Sequence, residues 1–150
     1  MVKKLYFCDD KCGIMKDFLK NMPQFLVSGT VVAAVLYLTL APKPLPDNDI
    51  NWFKHTDKIV HAVMMAGVYL AVALDYIKHR RQPCGLPPVA LGCVLAAVIV
   101  LGGSIELLQG AMDMGRGCDL YDFIADSAGA CSGYLISMRY SGRMASWLYG

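Results

Sequence analysis

Residues 25–41 carry no charged side chain, and the run is about as long as the minimum needed to cross a hydrocarbon core of roughly 30 Å. The APKPLP stretch at 41–46 stops it, since proline lacks the backbone donor a helix needs. A second apolar run lies within HTDKIVHAVMMAGVYLAVALDY (55–76) and is predicted to end at Asp75 and the KHRR cluster behind it. Prolines at 83–88 make a tight connection to a third run at 89–109, and a fourth covers about 120–138. Gly102 and Gly103 in the third run would let another backbone approach closely.

Ahead of these runs, residues 1–24 hold five lysines, with Ile14, Phe18 and Leu19 able to share one helical face, the pattern of a helix lying on a membrane surface. No small-residue cleavage site follows the first run, so it is expected to stay attached. The pattern predicts an all-α fold: an integral membrane four-helix bundle with a short N-terminal amphipathic interfacial helix. Its divisions are an interfacial segment at 1–24, a four-span domain at 25–138 and a tail at 139–150. Four spans place both termini on one side together with the 78–81 cluster. Ten of the fourteen lysines and arginines then fall on that side, which argues that both termini of this multi-pass chain face the cytoplasm.

Composition agrees with this reading. The apolar fraction is 56% and the mean hydropathy +0.43, high for a soluble chain of 150 residues. A net charge of +2 with no basic stripe gives no grounds for a nucleic-acid partner. The six cysteines are scattered: Cys93 and Cys131 lie in apolar runs as small hydrophobes, and Cys8 and Cys12 have no second pair to complete four metal ligands.

One stretch contradicts the hydropathy. In SIELLQGAMDMGRGCDLYDFIADSAGACSG (104–133), five carboxylates face a single arginine, between two runs that should span a membrane. Glu106 and Gln109 fall on one helical face, and Asp119, Asp122 and Asp126 at i, i+3 and i+7 fall on another. Asp57 and His61, four apart, begin the second span. By the predicted topology all of these gather at the outer membrane face. A charge on a spanning helix costs about 2.5–3.5 kcal/mol on insertion scales, so these groups must face each other, with Lys58, His61 and Arg116 as partners.

Two explanations stand side by side. The cluster is a self-satisfied network that fixes helix packing or partner assembly, in a structural or transport protein. Otherwise it is a pocket at headgroup level for an amphiphile, with His61, Glu106 and Asp122 as catalytic candidates. Asp57, Lys58, Gln109, Arg116, Asp119 and Asp126 would then bind the ligand. In the second case His61, set between Asp57 and Glu106 and oriented by an aspartate, is a candidate general base. His61 with two carboxylates is also a conceivable divalent-metal set, but no tight ligand motif is present, so no metal ligand is assigned and the cofactor is unknown. Gly129 and Gly133 form a GxxxG for close helix packing, within the chain or in a homo-oligomer.

The sequence DKIVH at 57–61, then IELLQ at 105–109, then R-x-x-D-x-x-D-x-x-x-D-x-x-G-x-x-x-G at 116–133, resembles the VanZ-like family over about residues 40–133. The chain departs from the family pattern in carrying Asp126 where asparagine is more usual. The resemblance implies a small bacterial membrane protein, from a family named for a member associated with teicoplanin resistance. Its matching residues are Asp57, Lys58, His61, Glu106, Gln109, Arg116, Asp119 and Asp122. The expected partner is a membrane lipid or a lipid-linked cell-wall intermediate.

Overall fold

A computed structural model describes residues 13–40, 56–81, 83–112 and 119–150. Among them the secondary structure is entirely helical. A short α1 (Gly13–Asn21) is followed by α2 (Leu26–Leu40), α3 (Thr56–Arg80), α4 (Pro88–Met112) and α5 (Leu120–Tyr149). Residues 1–12, the 41–55 segment with its prolines, Trp52 and His55, and Arg116 lie outside the described residues.

Large apolar side chains are exposed on the helices, while charged and polar side chains are buried beside an apolar core of Met65, Tyr69, Ile77 and Ile105. Val63, Val89, Val100, Leu107, Leu120 and Leu135 are exposed, whereas His61, Asp75, Lys78, Glu106, Gln109 and Asp126 are buried. Cys93 and Cys131 lie exposed among the outward apolar residues of α4 and α5, consistent with their role as small hydrophobes. α3 and α4 are each long and apolar enough to cross a membrane, and α1 with α2 becomes a third candidate if that bent pair is one span. The all-helical expectation is met. The four-span expectation meets two clear spans, because the described α2 has 15 residues and α5, rich in small and polar side chains, is not apolar enough.

α5 packs most extensively on α3, then on α4, and α2 packs mainly on α3. Cross-links give the directions. Ser28 near the start of α2 bonds Asp75 near the end of α3, and Gln109 near the end of α4 bonds Thr39 near the end of α2. Lys58 at the start of α3 bonds Asp122 at the start of α5. Successive helices from α2 to α5 therefore alternate in direction, and α3 and α5 are parallel neighbours.

Two helix ends differ from the sequence expectation. α5 continues past Met138 to Tyr149, because a stripe of mostly small residues (Ala130, Gly133, Ser137, Ser141, Ala145 and finally Leu148) stays buried along one face. Small side chains add little hydropathy but allow close packing, so the stripe is invisible to an apolar-run count. α3, likewise, does not stop at Asp75 but runs on to Arg80, ending at Arg81 in the left-handed region (φ 51°). Phe25 (φ 63°) makes the corresponding turn between α1 and α2, whose axes bend by 77°. α1 thus runs across the direction of α2, and its Lys16 and Lys20 sit over the rings of Trp147 and Tyr149 at the end of α5.

The glycines show how closely α3 and α5 approach. A Cβ at Gly129 would collide with the carbonyl of Ala62, and one at Gly133 would lie 2.7 Å from Cβ of Tyr69. The GxxxG is therefore consumed inside the chain. In α4, Gly102 makes room for the Asp126 carboxylate and Gly103 for the Phe123 ring, so the space there is filled by side chains and not by a backbone.

Candidate functional site

At the end of the molecule where α3 and α5 begin and α4 ends, the polar residues of three helices converge. Asp119 caps α5 from outside the helix, its side chain accepting from the Tyr121 amide at 2.8 Å, which places it ahead of the stripe its spacing suggested. Lys58 donates to Asp119 at 3.0 Å and to Asp122 at 2.6 Å. The Tyr121 amide, and then Lys58, hold the Asp119 carboxyl below the usual carboxylate range.

One turn deeper lies His61, with 4% of its surface exposed. Its Nδ1 is 3.1 Å from Oδ1 of Asp126 and 3.9 Å from Oε1 of Glu106. An ionised carboxylate only accepts, so Nδ1 carries the proton in this pairing. The other Glu106 oxygen, Oε2, accepts the Asp119 amide at 3.2 Å, linking the end of α4 to the cap of α5. Glu106 Oε1 and Asp126 Oδ2, both buried, have no hydrogen-bond partner among the described residues.

The structure thus brings together Asp57, Lys58, His61, Glu106, Asp119, Asp122 and Asp126. Two sets offer ligand atoms within 4.8 Å of one another: Asp57, His61 and Asp122 nearer the surface, and the fully buried His61, Glu106 and Asp126. Two expectations need revision. The imidazole bonds Asp126, which projects from α5 directly across from it, and not Asp57, whose carboxylate nevertheless stays within 4.8 Å of the ring. Gln109, on the Glu106 face, bonds the Thr39 carbonyl at 2.9 Å instead of joining the acids. That carbonyl belongs to the last described turn of α2, and Gln109 supplies a donor to it.

Two apolar grooves border α5 and end in this cluster. One, of about 380 Å³ between α3 and α5, is lined by Ile59, Ala62, Val63 and Ala66 and ends at Lys58. The other, of about 570 Å³ between α4 and α5, is lined by Ile99, Val100, Leu107, Leu120 and Phe123 and ends at Glu106 and Asp119.

A second polar centre was missed in the sequence. Asp75, fully buried, accepts from the Ser28 amide and hydroxyl at 2.8 Å each and from Lys78 at 3.1 Å. Lys78 is itself buried, not a member of an exposed basic cluster, and its carbonyl accepts from the Tyr149 hydroxyl. The i, i+3 spacing of Asp75 and Lys78 was the available signal, but it was read as a helix end. His61 and Asp75 are about 21 Å apart along α3 at 1.5 Å per residue, so one centre lies near each end of the helix.

An apolar exterior, spanning helices and charges buried at both ends define an integral membrane protein. The chain belongs to the VanZ/LLP1 family, whose model matches residues 15–141. The match reaches beyond the motifs into α1 and most of α5. No curated protein and no solved structure matches the chain.

Proposed function

We propose that the Lys58–Glu106–Asp126 end of the molecule binds the polar head of a cell-envelope lipid or lipid-linked wall precursor, with the tail lying in a groove beside α5. The observation that carries this reading is that both grooves are lined almost wholly by apolar side chains and both end at charged groups of one cluster. Such a shape suits an amphiphile better than a soluble molecule. In this reading α2 to α5 all cross the inner membrane, the termini are cytoplasmic, and the cluster faces outward, where wall precursors are displayed. A link to teicoplanin resistance would follow from handling the precursor or its lipid carrier.

The competing reading, a network that only fixes packing, is favoured by the Lys58–Asp119–Asp122 and His61–Asp126 pairings. Against it stand the two buried oxygens that have no partner among the described residues. The test is native mass spectrometry with lipidomics on detergent-purified protein, comparing wild type with an Arg116→Ala, Glu106→Gln double variant and a groove-filling Ala66→Phe variant. The expected result is an anionic or isoprenoid lipid on wild type that both variants lose. If none of the three retains a distinctive lipid and the double variant only melts earlier, the cluster is structural and the proposal falls.

A further inference from the structure

We infer that His61, Glu106 and Asp126 form a binding site for one divalent transition-metal ion, of the Zn²⁺ or Mn²⁺ class. This stands on the geometry of the cluster and does not depend on the lipid reading. Three helices each contribute one ligand: His61 from α3, Glu106 from α4 and Asp126 from α5. All three side chains are almost completely enclosed, at 5%, 3% and 1% exposure.

Four features distinguish this set from an ordinary acidic cluster. Ligands held about 2.0–2.1 Å from a tetrahedral ion lie about 3.4 Å from one another. The His61–Asp126 and His61–Glu106 separations of 3.1 and 3.9 Å fall on either side of that value, so a small rotation of two side chains closes the site. The second feature is the pair of buried oxygens, one on each carboxylate of this set, that have no partner among the described residues. Native interiors seldom leave such atoms unmet; an ion would meet Glu106 Oε1 directly, and Asp126 Oδ2 once that carboxylate turns it inward or binds through both oxygens.

The third feature is charge. Lys58 is occupied by Asp119 and Asp122, so among the described residues the cation in direct contact with the buried set is His61 itself. Protonated His61 would leave the set at −1 in a low-dielectric interior, whereas a divalent ion with neutral imidazole brings it to zero. The fourth is the second candidate set, which shares His61 but includes Asp122, already bonded to Lys58 at 2.6 Å, and the exposed Asp57. The buried set is the one with free lone pairs. One imidazole and two carboxylates suit Zn²⁺ or Mn²⁺ better than Ca²⁺ or Mg²⁺, which favour all-oxygen shells. Three protein ligands leave a coordination position open, and Glu106 also lines the α4–α5 groove. An ion here would offer that open position to a headgroup oxygen, a ligand contact that the described acids alone do not provide.

The test uses tag-free, full-length protein in detergent, stripped with EDTA and titrated calorimetrically with Zn²⁺ and, separately, Mn²⁺, with bound metal counted by mass spectrometry. Wild type is expected to bind one ion per chain. Glu106→Gln and Asp126→Asn should each weaken binding at least tenfold while keeping wild-type helicity by circular dichroism and an apo melting temperature no lower than that of wild type. Asp17→Asn, which neutralises an exposed carboxylate of α1 outside the cluster, should bind as wild type does. Affinity should fall as the pH drops through the range where imidazole and carboxylates protonate. No stoichiometric binding of either ion up to 1 mM (~1 mM titrant as the weak-binding limit), unchanged binding in both Glu106→Gln and Asp126→Asn, or an equal loss in Asp17→Asn would each overturn the assignment. The lipid content of the same preparations is read independently, so either proposal can fail alone.

Discussion

Gly129 of α5 rests directly on the carbonyl of Ala62 in α3, one residue beyond His61. The two parallel helices therefore touch backbone to backbone one turn below the polar cluster, and this contact sets the distance across which Asp126 meets His61. A methyl group there has no flexible neighbour to displace, since what it meets is main chain.

Gly129→Ala should consequently destabilise the protein by about 1–3 kcal/mol, the usual range for overpacking, and should loosen the His61–Asp126 contact. Gly142, in the same helix, has nothing within 4 Å of its missing Cβ. Gly142→Ala should instead be neutral or stabilising by up to about 1 kcal/mol, from helix propensity alone. Equilibrium unfolding in mixed micelles checks both. Equal effects from the two substitutions would mean that the close approach carries no energetic weight.

The Asp75–Lys78 pair at the other end of α3 is a buried ion pair whose carboxylate is further satisfied by Ser28. Removing one member strands the other without solvent. Asp75→Ala should cost about 3–5 kcal/mol, whereas the double substitution Asp75→Leu, Lys78→Met should recover most of that loss. A double-mutant cycle measured by unfolding is the check, and additivity of the single effects would show that the two side chains are not coupled.

Asp119 makes stability depend on acid. Its carboxyl is held below its ordinary value of 3.8 by the Tyr121 amide first and Lys58 second. A group with a depressed folded value binds its proton more readily when unfolded. Its contribution is thus complete above 3.8 and is lost as the pH falls through the depressed folded value. Asp119→Asn retains a cap but carries no charge. The melting temperature of wild type should exceed that of Asp119→Asn near neutral pH, and the gap should close as the pH drops below 3.8. A gap that does not change with pH would assign the effect to shape and not to charge.

Much of the site was legible because its residues violate a strong local rule. Glu106, Asp122 and Asp126 stand out as charges beside apolar runs, and DKIVH announces Lys58 and His61 in the same way. The partners were not legible. Nothing in the spacing of Asp57 and His61 says that the imidazole turns to Asp126, or that Gln109 serves the open end of α2. Asp75 was misread because a charge late in an apolar run looks the same whether it ends a helix or is buried by Ser28 of another.

By itself, the sequence determined the helical class, the apolar exterior, the family and the membership of most of the charged cluster, because hydropathy and i, i+3/i+4 spacing are local properties that each helix expresses alone. The tertiary structure decided which carboxylate holds His61, that the GxxxG is filled by α3, how far α5 runs, and that a second ion pair lies buried near the far end of α3. Those outcomes depend on which backbones can approach closely, and that is set by small residues on different helices meeting in space, Gly129 on Ala62 and Gly102 beside Asp126.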